Sequence, residues 1–341
     1  MGSVLVSGSA GFIGGYLVRE LLERGYDVTG IDNLSKYGRV AKSYDDHPSY
    51  KFVIGDARDV GLLTDLLISC DHFVAGAAMI GGISYFHAYA YDLLATNERI
   101  MAASCDAAIA AHRAGTLQKV TYLSSSMIFE STDRWPSREG DERHVPPPLS
   151  SYGFQKLAVE YFAKAAWEQY KLPYTINRPF NCVGVGEHRA LGEVQVLSGN
   201  VKLAMSHVVP DLVQKVLKGQ DPLHILGDGS QVRHYTYGAD LAKGIVDAME
   251  SPAARNEDFN LSTPVSTTVL ELARLIWHKI NGPDKPLRYV SDEPYEHDVA
   301  RRVPSTDKAT RVLGFSAHTT LDEMLDEVIP WVADAIANGL I

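Results

Sequence analysis

The chain has 341 residues, 45% hydrophobic and 22% charged, a composition that suits a globular enzyme built as one large α/β unit or two domains. Its formal net charge of -10 provides neither the basic footprint of a nucleic-acid binder nor a polybasic membrane patch, so any anionic ligand has to be held by a few local arginines. Cys70, Cys105 and Cys182 lack metal-ligand spacing, no apolar run reaches the ~18 residues of a membrane span, and with a strand-like run directly after Met1 and Gly2 no leader is expected. The expectation is a cytoplasmic protein with buried thiols and no metal.

In chain order, the apolar residues 4–6 run into glycines at 8, 11 and 14, and Phe12, Ile13, Tyr16, Leu17, Leu21 and Leu22 then recur at helical spacing up to Gly25. Strand, glycine turn and helix in that order suit a dinucleotide pyrophosphate, which would sit against the helix N-terminus. A second strand over 26–31 ends in Asp32, placed to accept hydrogen bonds from adenosine ribose hydroxyls and to repel a 2′-phosphate. With Asn33 and Leu34 following and no arginine adjacent, the pattern favours NAD over NADP. Residues 52–54 form a third strand, and Asp56 behind Gly55 lies beside the adenine or caps a turn. A fourth strand over 72–78 leads into Ala77, Ala78, Met79, Ile80, Gly81 and Gly82, small enough for a cofactor to pass over.

A helix over about 93–114 opens with Thr96, Asn97 and Glu98. Residues 120–123 lead into Ser124, Ser125 and Ser126, and a loop reaches Pro148. The next helix, to about Tyr170, carries Tyr152 and Lys156 one turn apart on one face. A phenol beside an ammonium and a cationic cofactor ring has its pKa drawn down and becomes a workable base. Strands and helices alternate over these 180 residues, which predicts a doubly wound parallel sheet. Beyond Asn181 the rhythm breaks into a glycine-rich stretch, 184–199, and helical spacing returns over 208–217, 239–249, 268–280 and 321–337, with Pro330 expected to kink the last. The expected division is a cofactor domain over 1–180, with residues 235–261 returning to it, and a smaller α/β lobe over 181–234 and 262–341.

Taken together, Gly8 to Gly14 with Asp32, Ser125, Tyr152 with Lys156, Arg178 to Asn181, residues 227–233 and Arg301-Arg302 resemble the extended short-chain dehydrogenases/reductases that act on nucleotide sugars. The resemblance implies a Rossmann domain that holds NAD(P) and a carboxyl-terminal substrate lobe. It makes Tyr152 the base, Lys156 the group that binds the nicotinamide ribose and lowers the tyrosine pKa, and Ser125 the group that orients the sugar hydroxyl. Cofactor contacts are expected from Gly8, Gly11, Phe12, Ile13, Gly14, Asp32, Asn33, Asp56, Ala57, Ala77, Ala78, Asn97, Tyr152, Lys156 and Phe180. Substrate contacts are expected from Gly81, Gly82, Ser125, Ser126, Met127, Asn181, His207, Val208 and Arg233, with Arg301 or Arg302 as a second grip. A guanidinium at 233 can hold a diphosphate bidentately.

In the 4,6-dehydratases the hydroxyl residue is followed by an Asp and a Glu; here those positions are Ser126 and Met127, and a thioether cannot remove a proton from C5. Residues 77–83 and the segment holding His207 resemble GDP-mannose 3,5-epimerases and GDP-fucose synthases, which makes His207 a candidate acid/base, although those relatives place a Cys where Met127 stands. The reaction needing fewest groups is NAD-dependent epimerisation at C4 through a transient ketone. Alternatives are a C3/C5-type epimerase using His207, a dehydratase or net oxidoreductase, and a non-catalytic cofactor-sensing protein. The helices over 93–114 and 151–170 are expected to pair in a homodimer.

Overall fold

The computed structural model describes residues 2–81, 88–191, 197–203, 207–294 and 298–341. Gly82, an expected substrate contact, lies outside them. Strands β1 (Ser3–Ser7), β2 (Asp27–Asp32), β3 (Tyr50–Ile54), β4 (His72–Ala75), β5 (Lys119–Leu123) and β6 (Tyr174–Pro179) join β8 (Glu257–Leu261) in a seven-stranded sheet of order β8-β6-β5-β4-β1-β2-β3. Every neighbouring pair is parallel. Val4, Leu5 and Val6 are fully buried, as a strand covered on both faces must be. The order reverses between β1 and β4, and in such sheets the crevice at the strands' carboxyl ends is where ligands bind.

Helix α1 (Phe12–Glu23) and α6 (Gly238–Glu250) pack together against one face, while α2 (Val60–Leu67), α3 (Ala90–Arg113) and α4 (Ser151–Tyr170) cover the other. Strand β4 stops at Ala75, three residues before the expected end. The reason is local: Ser7 Oγ accepts the N–H groups of Gly76 and Ala77, both at 3.2 Å, and turns the chain off the ladder. Helix α4 stops at Lys171, which adopts φ +58 ahead of Pro173.

A second core is formed by α5 (Val208–Leu217), β7 (Leu223–Leu226), α7 (Val269–Asn281) and α9 (Leu321–Ala337), through Val209, Leu212, Ile225, Leu272, Trp277, Leu325 and Val328. Strand β7 pairs in parallel with β9 (Tyr289–Asp292), and α8 (Asp307–Leu313) packs on β8. Helix α9 continues across Pro330. Among the described residues no helix is long and apolar enough to cross a membrane.

Candidate active site

A cleft of about 1260 Å³ runs from the glycine turn, over the carboxyl ends of β1, β4 and β5, to the second core. Gly8 sits at φ +77, and a Cβ on Gly14 would lie 2.1 Å from the carbonyl oxygen of Gly8, so only glycines let strand and helix approach this closely. Gly11 caps α1 with no side chain over the helix N-terminus, whose N–H groups remain available to an anion. Gly8, Gly11, Phe12, Ile13, Gly14, Asn33, Asp56, Ala57, Ala77 and Ala78 all line the cleft. Asp32, also in the wall, accepts from Ala10 N at 3.2 Å and Leu34 N at 2.8 Å; burial pushes its carboxyl above the usual range against those two bonds. Asp56 makes a turn as well, since hydrogen bonds from the Arg58 side chain and backbone hold its carboxyl down at about 2. Glycine turn, uncapped helix and carboxylate at the end of β2 are the donor set a dinucleotide needs, so the cleft fits NAD.

Two residues expected to touch the cofactor do not line this cleft. Asn97 is 1% exposed on α3 and spends its amide on the backbone of Met79, accepting from its N–H at 2.6 Å and donating to its carbonyl at 2.9 Å. It holds the backbone of the loop that carries Ala77 to Gly81, and those residues line the cleft. Phe180 is packed inward on Ile128, Phe129 and Leu157.

Helix α4 begins where Ser150 Oγ accepts the Gly153 N–H at 2.9 Å and donates to Glu130 at 2.7 Å. This start places Tyr152 and Lys156 in the cleft wall, only 7% and 6% exposed. The Tyr152 hydroxyl is hydrogen-bonded to Ser125, and Lys156 Nζ donates to the Leu123 carbonyl at 2.9 Å, 5.9 Å from the tyrosine ring centroid. The expected fall in the tyrosine pKa through Lys156 is corrected here. Burial pushes the phenol up, the Ser125 hydrogen bond and the Arg302 charge pull the other way, and burial draws Lys156 itself down to about 8.

Ser125, Ser126 and Met127 follow β5 into the cleft, where Gly81, Asn181, Val208, His207, Arg233 and Arg302 join them. Asn181 is held at φ +35, with its carbonyl accepting from Thr236 N at 3.0 Å and its side-chain oxygen from Arg302 at 3.4 Å. Arg233 donates to Asp298 at 3.1 Å, and burial lowers its pKa. Arg302 is pushed down to about 9 by burial and by Arg233, and its Nε is buried without an acceptor among the described residues. Arg233 is buried and takes the ion pair with Asp298, whereas half-buried Arg302 has no ion pair among the described residues and feels Asp298 and Glu130 only through their charge, so the two guanidinia can still take up an anion. Arg301 does not share this role: it is exposed and stacks on Trp135 at 5.4 Å.

His207 lies at the N-terminus of α5, its Nδ1 2.6 Å from the Oε1 of Glu187, whose side chain is 3% exposed. The loop that carries Glu187 is pinned to α1, because the Tyr16 hydroxyl accepts the Val185 N–H at 2.9 Å. Arg178 lies outside the cleft. Its guanidinium is 2.7 Å from Glu160, 2.6 Å from Asp258 and 3.5 Å from Glu142, and Ser124 donates to Glu160 at 2.7 Å. These carboxylates could together hold a metal ion by spacing, but their shared centre is the arginine. Glu187 and Asp298 were missed in the sequence. Glu187 sits in an aperiodic glycine-rich loop, and Asp298 follows no motif in the pattern above, so neither position carries a local signal.

A model of the NAD dependent epimerase/dehydratase family matches residues 4–262. A putative UDP-glucose 4-epimerase of Methanocaldococcus jannaschii is 29% identical over 331 residues, 96% of this chain and 98% of that one. The crystal structure of UDP-glucose 4-epimerase from Thermotoga maritima, with UDP-glucose, is similar at a TM-score of 0.81 and 27% identity, over 98% of this chain and 99% of that one. A double mutant of dTDP-glucose 4,6-dehydratase from Streptomyces venezuelae, with NAD bound, is similar at 0.83 and 25% identity over 99% of each chain.

Proposed function

This chain belongs to the NAD dependent epimerase/dehydratase family, and from that premise we propose that it epimerises a nucleoside-diphosphate sugar at C4 through a transient 4-keto intermediate. The observation that carries the reading is the buried Ser125–Tyr152 hydrogen bond in a cleft that begins at a dinucleotide turn and reaches two under-neutralised arginines. Tyr152, as the phenolate that the Ser125 hydrogen bond, the Arg302 charge and the cationic ring of bound NAD would favour against burial, takes the proton of the C4 hydroxyl, and Ser125 holds that hydroxyl in line. Lys156, anchored on Leu123, keeps two N–H groups for the cofactor's ribose. Gly8 to Gly14 and Asp32 hold NAD, which when bound accepts a hydride from C4 and returns it. Arg233 and Arg302 grip the diphosphate while the sugar turns over.

Met127 and Ser126 supply no acid or base beside the ketone, which separates this site from a dehydratase. A second reading, epimerisation at C3 or C5, is favoured by His207 standing in the same cleft on a buried carboxylate. Exposed Phe154 and Tyr161 on α4 and Tyr91 on α3 support a homodimer paired through these helices; light scattering at micromolar concentration should give twice the chain mass.

The test is incubation with UDP-, dTDP- and GDP-hexoses in D2O, followed by NMR. C4 epimers should form without net NADH and without deuterium at carbon, and Tyr152→Phe should abolish the conversion. Deuterium at C3 or C5 selects the second reading, and a 4-keto-6-deoxy product overturns the epimerase assignment.

A further inference from the structure

The second-lobe wall of the cleft carries a charged pair that neither the proton transfer nor the diphosphate grip uses. Asp211 and Lys215 stand one turn apart on α5, with Lys215 Nζ 3.2 Å from Asp211 Oδ2 and donating at 3.1 Å to the His224 carbonyl. Their side chains are 17% and 4% exposed, and both line the cleft beside Val208, Leu212, Ile225 and Leu226. The histidines at this end are already matched to carboxylates, His207 to Glu187 at 2.6 Å and His224 to Asp292 at 2.7 Å.

Asp211 and Lys215 are not fully matched. Among the described residues Asp211 Oδ1 is buried with no hydrogen-bond partner, and the ammonium has three N–H groups for the two acceptors it meets. Burial pushes the Asp211 carboxyl up to about 6, with Lys215 pulling against it and Glu187 adding to it, as befits a carboxylate short of a donor. A buried ion pair contributes little net stability, and a buried polar atom left unpaired is a loss. Such a pair in a cleft wall is suited to a ligand that completes it.

Resting on the nucleotide-sugar reading, we propose that Asp211 and Lys215 read the nucleobase, Asp211 accepting a ring N–H and Lys215 donating to the adjacent ring carbonyl. Tyr152 fixes the sugar end of the ligand and the arginines fix its diphosphate, so the base takes the remaining wall, an apolar slot between α5 and β7 with this pair as its polar edge. An N–H beside a C=O belongs to uracil, thymine and guanine. Cytosine and adenine present a bare ring nitrogen beside an amine instead, which sets lone pair against carboxylate and amine against ammonium. The gripped diphosphate tethers the ribose, so the wrong base cannot slide one atom over to rematch.

The test is calorimetric titration of the full-length enzyme with UDP, dTDP, GDP, CDP and ADP. The tightest of the first three should bind at least ~10-fold better than both CDP and ADP, since a site built to hydrogen-bond its ligand rejects analogues that leave its groups unpaired. Asp211→Asn, whose amide can donate, and Lys215→Met, which keeps the stem, should each shrink that ratio below ~3-fold. CDP or ADP binding as tightly as the best of the others overturns the inference, and so do folded variants that keep the wild-type ratio. If neither variant folds, the wild-type ranking decides. Failure of every nucleoside diphosphate to bind at millimolar concentration would sink the nucleotide-sugar reading itself, an outcome distinct from a preference for the wrong base.

Discussion

Replacing Lys156 by Met should make the protein more stable and inactive at once. Lys156 is 6% exposed and among the described residues has one side-chain hydrogen bond, to the Leu123 carbonyl, and no carboxylate within ion-pair distance. Burial lowers its pKa from 10.5 to about 8. That difference corresponds to roughly 3 kcal/mol spent on keeping the ammonium charged below pH 8. Methionine keeps most of the stem and removes the charge, while the lost hydrogen bond gives back about 1 kcal/mol. The variant should gain ~2 kcal/mol at pH 7, visible in the urea midpoint followed by circular dichroism. The margin shrinks as pH rises. Between pH 8 and 10.5 the unfolded chain keeps the lysine proton and the native state does not, so wild-type stability climbs and the advantage of Met fades. Turnover falls by at least ~100-fold as the cofactor's ribose loses its anchor. A Met variant less stable than wild type at pH 7, or a margin that is the same at pH 7 and pH 10, would refute the argument.

Two further substitutions probe the charges around the site. Arg302→Gln removes a charge that holds the Tyr152 phenol down, so the acidic limb of the kcat/KM profile should move to higher pH while KM rises ~10-fold; an unmoved limb disproves the coupling. Arg178→Ala should cost about 3–5 kcal/mol in urea denaturation at pH 7, because Glu160, Glu142 and Asp258 are left facing one another. Burial pushes Asp258 up, but Arg178 and Lys308 outweigh it and hold the carboxyl at about 2, so the deficit should shrink at pH 4, where the stranded carboxylates take up protons. A deficit that is equal at both pH values counts against the network.

The sheet and the glycine turn were legible because their signals are local: apolar runs of strand length, glycines three apart, and helical spacing behind them. Tyr152 and Lys156 were legible for the same reason, as neighbours on one helical face. What failed depends on contacts across the fold. Asn97 has the polarity of a ligand contact, yet its partner is a backbone 18 residues upstream. Arg301 and Arg302 are indistinguishable by type, and only the bridge between Val232 and Arg301 decides which of them turns inward. The phenol's raised pKa reflects burial that no spacing rule reports.

Strand β8 closes the sheet beside β6 although 77 residues, 180–256, intervene between Pro179 and Glu257. A polypeptide ending near residue 180 would therefore present β6 as a raw edge, with its ladder of N–H and C=O groups open to any passing strand. It would also lack Asp258, so the guanidinium behind that edge would be short of a counter-charge. The sheet cannot be finished until residue 261 has been made, so a piece that stops near residue 180 cannot stand in for it.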